Sequence, residues 1–247
     1  MTPIRWIHLV LDVPDEGLAE AKRFWAAVSR STVSDSADGG DGHTTLLPQV
    51  GSPWLRLSRT DSEFPGAHLD LVVDDPDAAA AEALSLGARE VDDDGGLRRF
   101  RSPAGVLFCL LPSSPDAGGV QDRSPDVLVD QACLDVPSPR FDEEVEFWHA
   151  LTGWAVQPAR YPEFAALARP ADLPVRLSFQ RVGDPEAGIH PDLACRRSKL
   201  AQREHEQLGA VFDHRRPRWT VMVGPSGVRY CLTDRDPATG LWGQPPA

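Results

Sequence analysis

Apolar positions along this chain switch repeatedly between two periods. "RWIHLVLDV" (5–13) alternates apolar and polar residues as a strand does, while "EGLAEAKRFWAAV" (16–28) places Leu18, Ala21, Phe24, Trp25 and Val28 on one face of a helix. After a polar loop, "TTLLPQV" (44–50) and "PWLRLS" (53–58) predict two short strands. The pattern then restarts. "AHLDLVVD" (67–74) is a strand, and "DPDAAAAEALSLGA" (75–88) is a helix that starts at an Asp-Pro signal and stops at Gly87. "RRFRS" (98–102) and "VLFCLLP" (106–112) close the set. The predicted order is β-α-β-β, twice, with room for a third strand after each helix.

The second half of the chain repeats the first. "SPAGVLFCLL" (102–111) returns as "GPSGVRYCLT" (224–233), with Gly105 and Gly227 separated by 122 positions. The same offset carries Leu86-Gly87-Ala88 onto Leu208-Gly209-Ala210, and His68 with Asp70 onto His190 with Asp192. Near the start the offset is 123, relating the two "LDVP" segments and Phe24-Trp25 to Phe147-Trp148. So many matches in one order indicate a tandem duplication. The stretch 112–126, rich in Pro, Gly, Ser and Asp, has little to bury and reads as a linker. The expected organisation is a first domain over 1–112, a linker over 113–126, a second domain over 127–236 and a tail over 237–247. The second copy offers "DQACLDV", "DEEVEFWHALTG", "FAALAR" and "VRLSFQRV", then "HPDLACR", "SKLAQREHEQLGA", "RWTVMVG" and "VRYCLTD".

Composition narrows the classes. The chain has 247 residues, enough for two ordinary domains with cores of their own. A net charge of -12 disfavours a nucleic-acid partner, which would need a clustered basic face. The acidic runs "VVDDPD" and "EVDDDGG" read as solvated loops and helix starts. No apolar run is long enough to cross a bilayer, so no membrane partner is expected. The opening residues read as a first strand and not as a signal peptide, which makes the cytoplasm the expected compartment. Cys109, Cys133, Cys195 and Cys231 lack metal-type spacing and sit in apolar runs, as buried free thiols do.

The chain resembles the vicinal-oxygen-chelate superfamily, which includes glyoxalases, bleomycin-resistance proteins and extradiol dioxygenases. The residues that carry the resemblance are "FWHALTGW" (147–154), the "LGA" ending each second helix, and the two Gly-Val turns with their closing strands. It implies an α+β fold of two tandem glyoxalase-like domains, each built from two βαβββ modules whose curved mixed sheet surrounds a cup. It also implies a divalent-metal site drawing on one residue from each of four strands. Carried onto this chain, those positions are His8, Arg56, His68 and Leu107 in the first domain, and Gln131, Ser178, His190 and Arg229 in the second. Both carboxylates of the family pattern are missing from each set. Leu107 has no lone pair, and Arg229 is a fixed cation where the metal would lie. No metal ligand is therefore assigned; His8 and His68 are the only candidates in the first domain.

Other readings of these residues stay open. His8 and His68 could serve as base and acid near neutral pH, or be inherited histidines in a polar pocket. Asp70 and Asp192, two residues beyond a histidine, either orient it or are solvated edge carboxylates. A buried Arg56 or Arg229 needs a carboxylate, from an anionic ligand or from Asp70 and Asp192 respectively. Trp25 and Trp148 read as core. Trp6 and Trp54 share the phase of His8 and Arg56, so they line the first cup and suit an aromatic ligand, with Trp219 the counterpart in the second. The expected function is binding of a small organic molecule, aromatic or anionic, without any cofactor. The ligand-binding set is Trp6, Trp54, Arg56, Leu107, Gln131, His190 and Arg229. The alternative is a glyoxalase-like lyase or isomerase, or a dioxygenase, using His8 and His68 with zinc, nickel, manganese or iron. A protein-binding scaffold is a third class. The fused halves satisfy the family's pairing internally, so a monomer or a homodimer is expected.

Overall fold

The fold comes from a computed structural model, which describes residues 3–34, 43–91, 98–113, 122–157, 159, 161–183 and 186–242. Residues 114–121 of the expected linker, 92–96 of the second acidic run and 243–247 of the tail lie outside the described residues. Four modules follow one another. The first is β1 (Ile4–Pro14), α1 (Asp15–Ser29), β2 (Ser31–Val33), β3 (His43–Pro48) and β4 (Leu55–Thr60). The second is β5 (Gly66–Val73), α2 (Pro76–Ser85), β6 (Arg89–Val91), β7 (Arg98–Arg101) and β8 (Leu107–Pro112). The third is β9 (Val127–Pro137), α3 (Phe141–Thr152), β10 (Val156–Gln157), β11 (Phe164–Leu167) and β12 (Arg176–Val182). The fourth is β13 (Gly188–Cys195), α4 (Ser198–Gln207), β14 (Val211–Arg215), β15 (Trp219–Val223) and β16 (Arg229–Thr233). The third strand after each helix is therefore real, though short.

Local sequence explains these elements. The alternation in β1 buries its central residues, and α1 buries Ala21, Phe24, Trp25 and Val28 on the face its spacing predicts. In α2 the Asp75 carboxylate accepts from the Ala78 N–H at 2.9 Å, with Pro76 in the first turn, so the Asp-Pro start signal works through a side-chain cap.

Hydrogen bonding links the strands into two eight-stranded sheets, ordered β2-β3-β4-β1-β5-β8-β7-β6 and β10-β11-β12-β9-β13-β16-β15-β14. Each is mixed: β5 with β8, and β13 with β16, run parallel, whereas the hairpin neighbours run antiparallel. Packing also groups the chain into two compact units. In one (Met1–Val10, Ala67–Val120, Ala132–Ile189), Phe108 meets Trp148 and Phe147 at ring-centroid distances of 5.3 and 5.9 Å. There the Glu144 carboxylate accepts from Trp148 Nε1 at 2.7 Å and from the Ala104 N–H at 2.8 Å. In the other (Leu11–Gly66, Gln121–Gln131, His190–Ala247), Phe24 and Trp25 pack on Tyr230 at 5.8 and 5.4 Å. Trp25 and Trp148 are fully buried core residues, as expected.

Candidate functional site

The eight positions singled out by the resemblance fall on neighbouring strands. His8, Arg56, His68 and Leu107 lie on β1, β4, β5 and β8, which are consecutive in their sheet, and Gln131, Ser178, His190 and Arg229 occupy β9, β12, β13 and β16 in the same way. His8, His68, Gln131 and Ser178 are buried, and Arg56, Leu107 and His190 are half-buried. Trp6 on β1 and Trp54 just before β4 are buried as well, and Trp219 on β15 is half-buried.

Arg229 behaves differently. Its side chain is 66% exposed and its guanidinium lies 3.1 Å from Asp213 on β14. The expected neutralisation by Asp192 is therefore not the pair that forms. The reason is local: β14 carries an irregularity between Phe212 and His214, which alters its register against β15 and sets Asp213 within reach of Arg229.

Asp192 is instead the centre of a buried polar cluster. Its Oδ2 accepts a hydrogen bond from Gln131 Nε2 at 2.5 Å, and its Oδ1 lies 3.4 Å from His190 Nε2. Asp192 and Cys231 are direct neighbours in the β13–β16 ladder, and one ligand atom from each of His190, Asp192 and Cys231 lies within 4.8 Å of the other two. Burial opposes ionisation of Asp192. His190 outweighs it with help from Arg235, and the carboxyl stays below the usual range. The first sheet repeats the arrangement: His68 Nε2 lies 3.4 Å from Asp70 Oδ1, and Asp70 is the ladder neighbour of Cys109. Burial pushes the Cys109 thiol up, against His68 and with the added charge of Asp70. Asp70 and Asp192 are both buried, so neither is a solvated edge carboxylate. The chemistry available is that of an imidazole oriented by a buried carboxylate beside a thiol.

Several participants escape sequence reasoning. Asp130, which alternates with Gln131 on β9, forms a bidentate pair with Arg235 at 2.9 and 2.7 Å, both side chains almost wholly buried. His43 on β3 is a further buried histidine. Cys109, Cys133, Cys195 and Cys231 are buried and form no disulfide. Cys109 and Cys231 had a sequence signal, since they are related by the repeat offset of 122 and fall two residues after Leu107 and Arg229.

The glyoxalase-like domain family model matches residues 8–111 and again 131–233. The chain belongs to this family, within the vicinal-oxygen-chelate superfamily, as two tandem domains of α+β fold. The Mn(II)-bound glyoxalase from Novosphingobium aromaticivorans is similar in structure, with a TM-score of 0.66 and 17% identity over 94% of this chain and 83% of that one. The 2,3-dioxygenase LapB from Pseudomonas sp. KL28 gives 0.66 at 15% identity, covering 100% and 95% of the two chains. A homoprotocatechuate 2,3-dioxygenase variant from B. fuscum, in complex with HPCA, gives 0.60 at 16% identity over 95% and 73%. No curated protein matches the chain in sequence. Among the described residues no helix is long and apolar enough to cross a membrane.

Proposed function

We propose that both domains have given up the family's metal positions and that the protein binds a small organic molecule without a metal. The observation that carries this reading is Arg229. It stands at the position of the family's last carboxylate as a permanent cation, turned toward Asp213 3.1 Å away. Leu107, its counterpart, supplies no lone pair. His8 with His68, and Gln131 with His190, are too few donors at those positions to hold a divalent ion firmly. The half-buried Arg56 on β4, with Trp54 buried just before that strand, supports an aromatic or anionic ligand. A small molecule is then the partner, in preference to nucleic acid or membrane, taken up by a monomer or homodimer.

The test is a tryptophan-fluorescence titration with aromatic carboxylates and phenols, with and without chelator. The expected result is saturable quenching that chelator leaves unchanged and that Arg56→Ala weakens at least ~10-fold, the loss of one charge-assisted hydrogen bond. Quenching that appears only after a divalent ion is added would overturn the reading. A metal-dependent lyase or isomerase, or a dioxygenase, is the second reading, favoured by the buried His8 and His68 and the half-buried His190 and by the fold shared with the manganese glyoxalase. It requires zinc, nickel, manganese or iron and turnover that disappears in His8→Ala and His68→Ala.

A further inference from the structure

Two residues beyond the position of Arg229, the same strand pair carries another donor set. His190 and Asp192 share one face of β13, and Cys231 is the ladder neighbour of Asp192 on β16. Their three ligand atoms lie within 4.8 Å of one another. The separation of His190 Nε2 and Asp192 Oδ1 is 3.4 Å. An N–H···O hydrogen bond spans about 2.7–3.2 Å, so this contact is long for one. It does equal the edge of a tetrahedron whose bonds to a central ion are about 2.1 Å. Asp192 Oδ1 is buried and faces the His190 imidazole at 3.4 Å without a hydrogen bond of normal geometry, whereas Oδ2 is engaged by Gln131. A buried carboxylate oxygen in that state calls for a cation.

The duplication adds an independent observation. Between the two copies three of the four family positions diverge, His8 to Gln131, Arg56 to Ser178 and Leu107 to Arg229, and the fourth, His68 to His190, is kept as a member of the triad. The triad does not diverge: His68, Asp70 and Cys109 recur as His190, Asp192 and Cys231, with the imidazole-to-carboxylate distance 3.4 Å in both.

We propose that His190, Asp192 and Cys231 form a closed, structural metal site of zinc type, which keeps His190 of the family's positions and takes its other donors, Asp192 and Cys231, from two residues further along β13 and β16. Imidazole, carboxylate and thiolate together neutralise a dication and suit zinc or cobalt, whereas a thiolate disfavours magnesium, calcium and manganese. The Gln131 amide, already on Asp192, supplies a neutral fourth donor once its oxygen is turned inward. The ion staples two parallel strands; although His190 and Gln131 also belong to the second domain's expected ligand-binding set, the proposed function rests on Arg229 and on Arg56 of the first domain, so the failure of one reading is distinguishable from the failure of the other.

The experiment titrates Co(II) alone into the chelator-treated full chain carrying Cys109→Ser, so that the first copy's thiol contributes nothing. The expected result is a thiolate-to-cobalt charge-transfer band with the intense visible bands of tetrahedral cobalt, saturating at about one equivalent. Adding Cys231→Ser should abolish the charge-transfer band, and adding Asp192→Asn, which keeps the volume, should weaken binding at least ~10-fold. Near-UV circular dichroism checks that both variants remain folded. Absence of the band in the Cys109→Ser chain, or its persistence after Cys231→Ser, would overturn the proposal. Fluorescence quenching by the organic panel, measured on the same chelator-treated sample, reports on the proposed function separately.

Discussion

His205 on α4 is enclosed by Phe24 and Tyr230, with ring centroids 5.9 and 5.7 Å away, and its Nδ1 lies 3.0 Å from the Tyr230 hydroxyl. Burial pushes its pKa from 6.5 down to about 4, so the ring is neutral in the folded state. The unfolded chain takes up this proton near pH 6.5 and the folded chain only near 4. Its contribution is thus complete above pH 6.5 and is lost as pH falls toward 4, to the extent of about 3 kcal/mol. Thermal melts across this range should show a steeper loss for wild type than for His205→Gln, which cannot titrate; equal slopes would contradict the assignment. The Asp130–Arg235 pair makes a second prediction at this scale. Arg235→Met strands a buried carboxylate and should cost about 3–5 kcal/mol in a denaturant melt, while Asp130→Leu combined with it should recover most of the loss. Neither pair was legible in the sequence. Asp130 sits on the opposite face of β9 from Gln131, and Arg235 lies beyond the last strand, where periodicity carries no information.

The turns before β8 and β16 need a left-handed residue, which is why the Gly-Val phrase occurs twice. Gly105 has φ +107° and donates to the Ser102 carbonyl at 2.9 Å; Gly227 has φ +83° and donates to the Gly224 carbonyl at 2.9 Å. An added Cβ would meet nothing within 4 Å at Gly105, but at Gly227 it would lie 3.1 Å from Pro65 Cγ. Gly105→Ala should therefore cost only the left-handed penalty, about 1–2 kcal/mol, and Gly227→Ala more. Denaturant midpoints rank the two, and the reverse order would count against this geometry. Long elements of this kind were readable because an alternating or helical run shows itself over many residues. The third strands β2, β6 and β10 carry no period over two or three residues, and β14 is interrupted by the irregularity between Phe212 and His214. Arg229 shows the same limit within the site: its strand and position were legible, but its partner depended on the irregularity in β14 at Asp213. His190 and Gln131 could be placed on their strands from the repeat alone. Cys231 could not be recognised as their companion until the β13–β16 register brought it beside Asp192.

At the scale of the molecule, the two sheets follow the duplication, each using two successive modules, whereas the aromatic packing in each compact unit joins non-equivalent ones. Within one unit the second module's Phe108 packs on Phe147 and Trp148 of the third. Within the other, Phe24 and Trp25 of the first module pack on Tyr230 and His205 of the fourth. A fragment ending at residue 112 would keep its hydrogen-bonded sheet but expose Phe24, Trp25 and Phe108, all of them almost wholly buried in the intact chain. Re-exposing a buried aromatic side chain of this size costs about 3 kcal/mol, so three of them consume most of the 5–15 kcal/mol by which a domain is typically stable. The fragment 1–112 expressed alone should accordingly self-associate or aggregate, and mixing it with 123–247 should restore a soluble one-to-one complex with native tryptophan emission. Size-exclusion chromatography with light scattering measures this directly. A fragment 1–112 that stays monomeric, with cooperative unfolding and blue-shifted tryptophan emission, would mean that each half buries its aromatics without the other. The packing of the first module on the fourth, and of the second on the third, would then contribute little to stability.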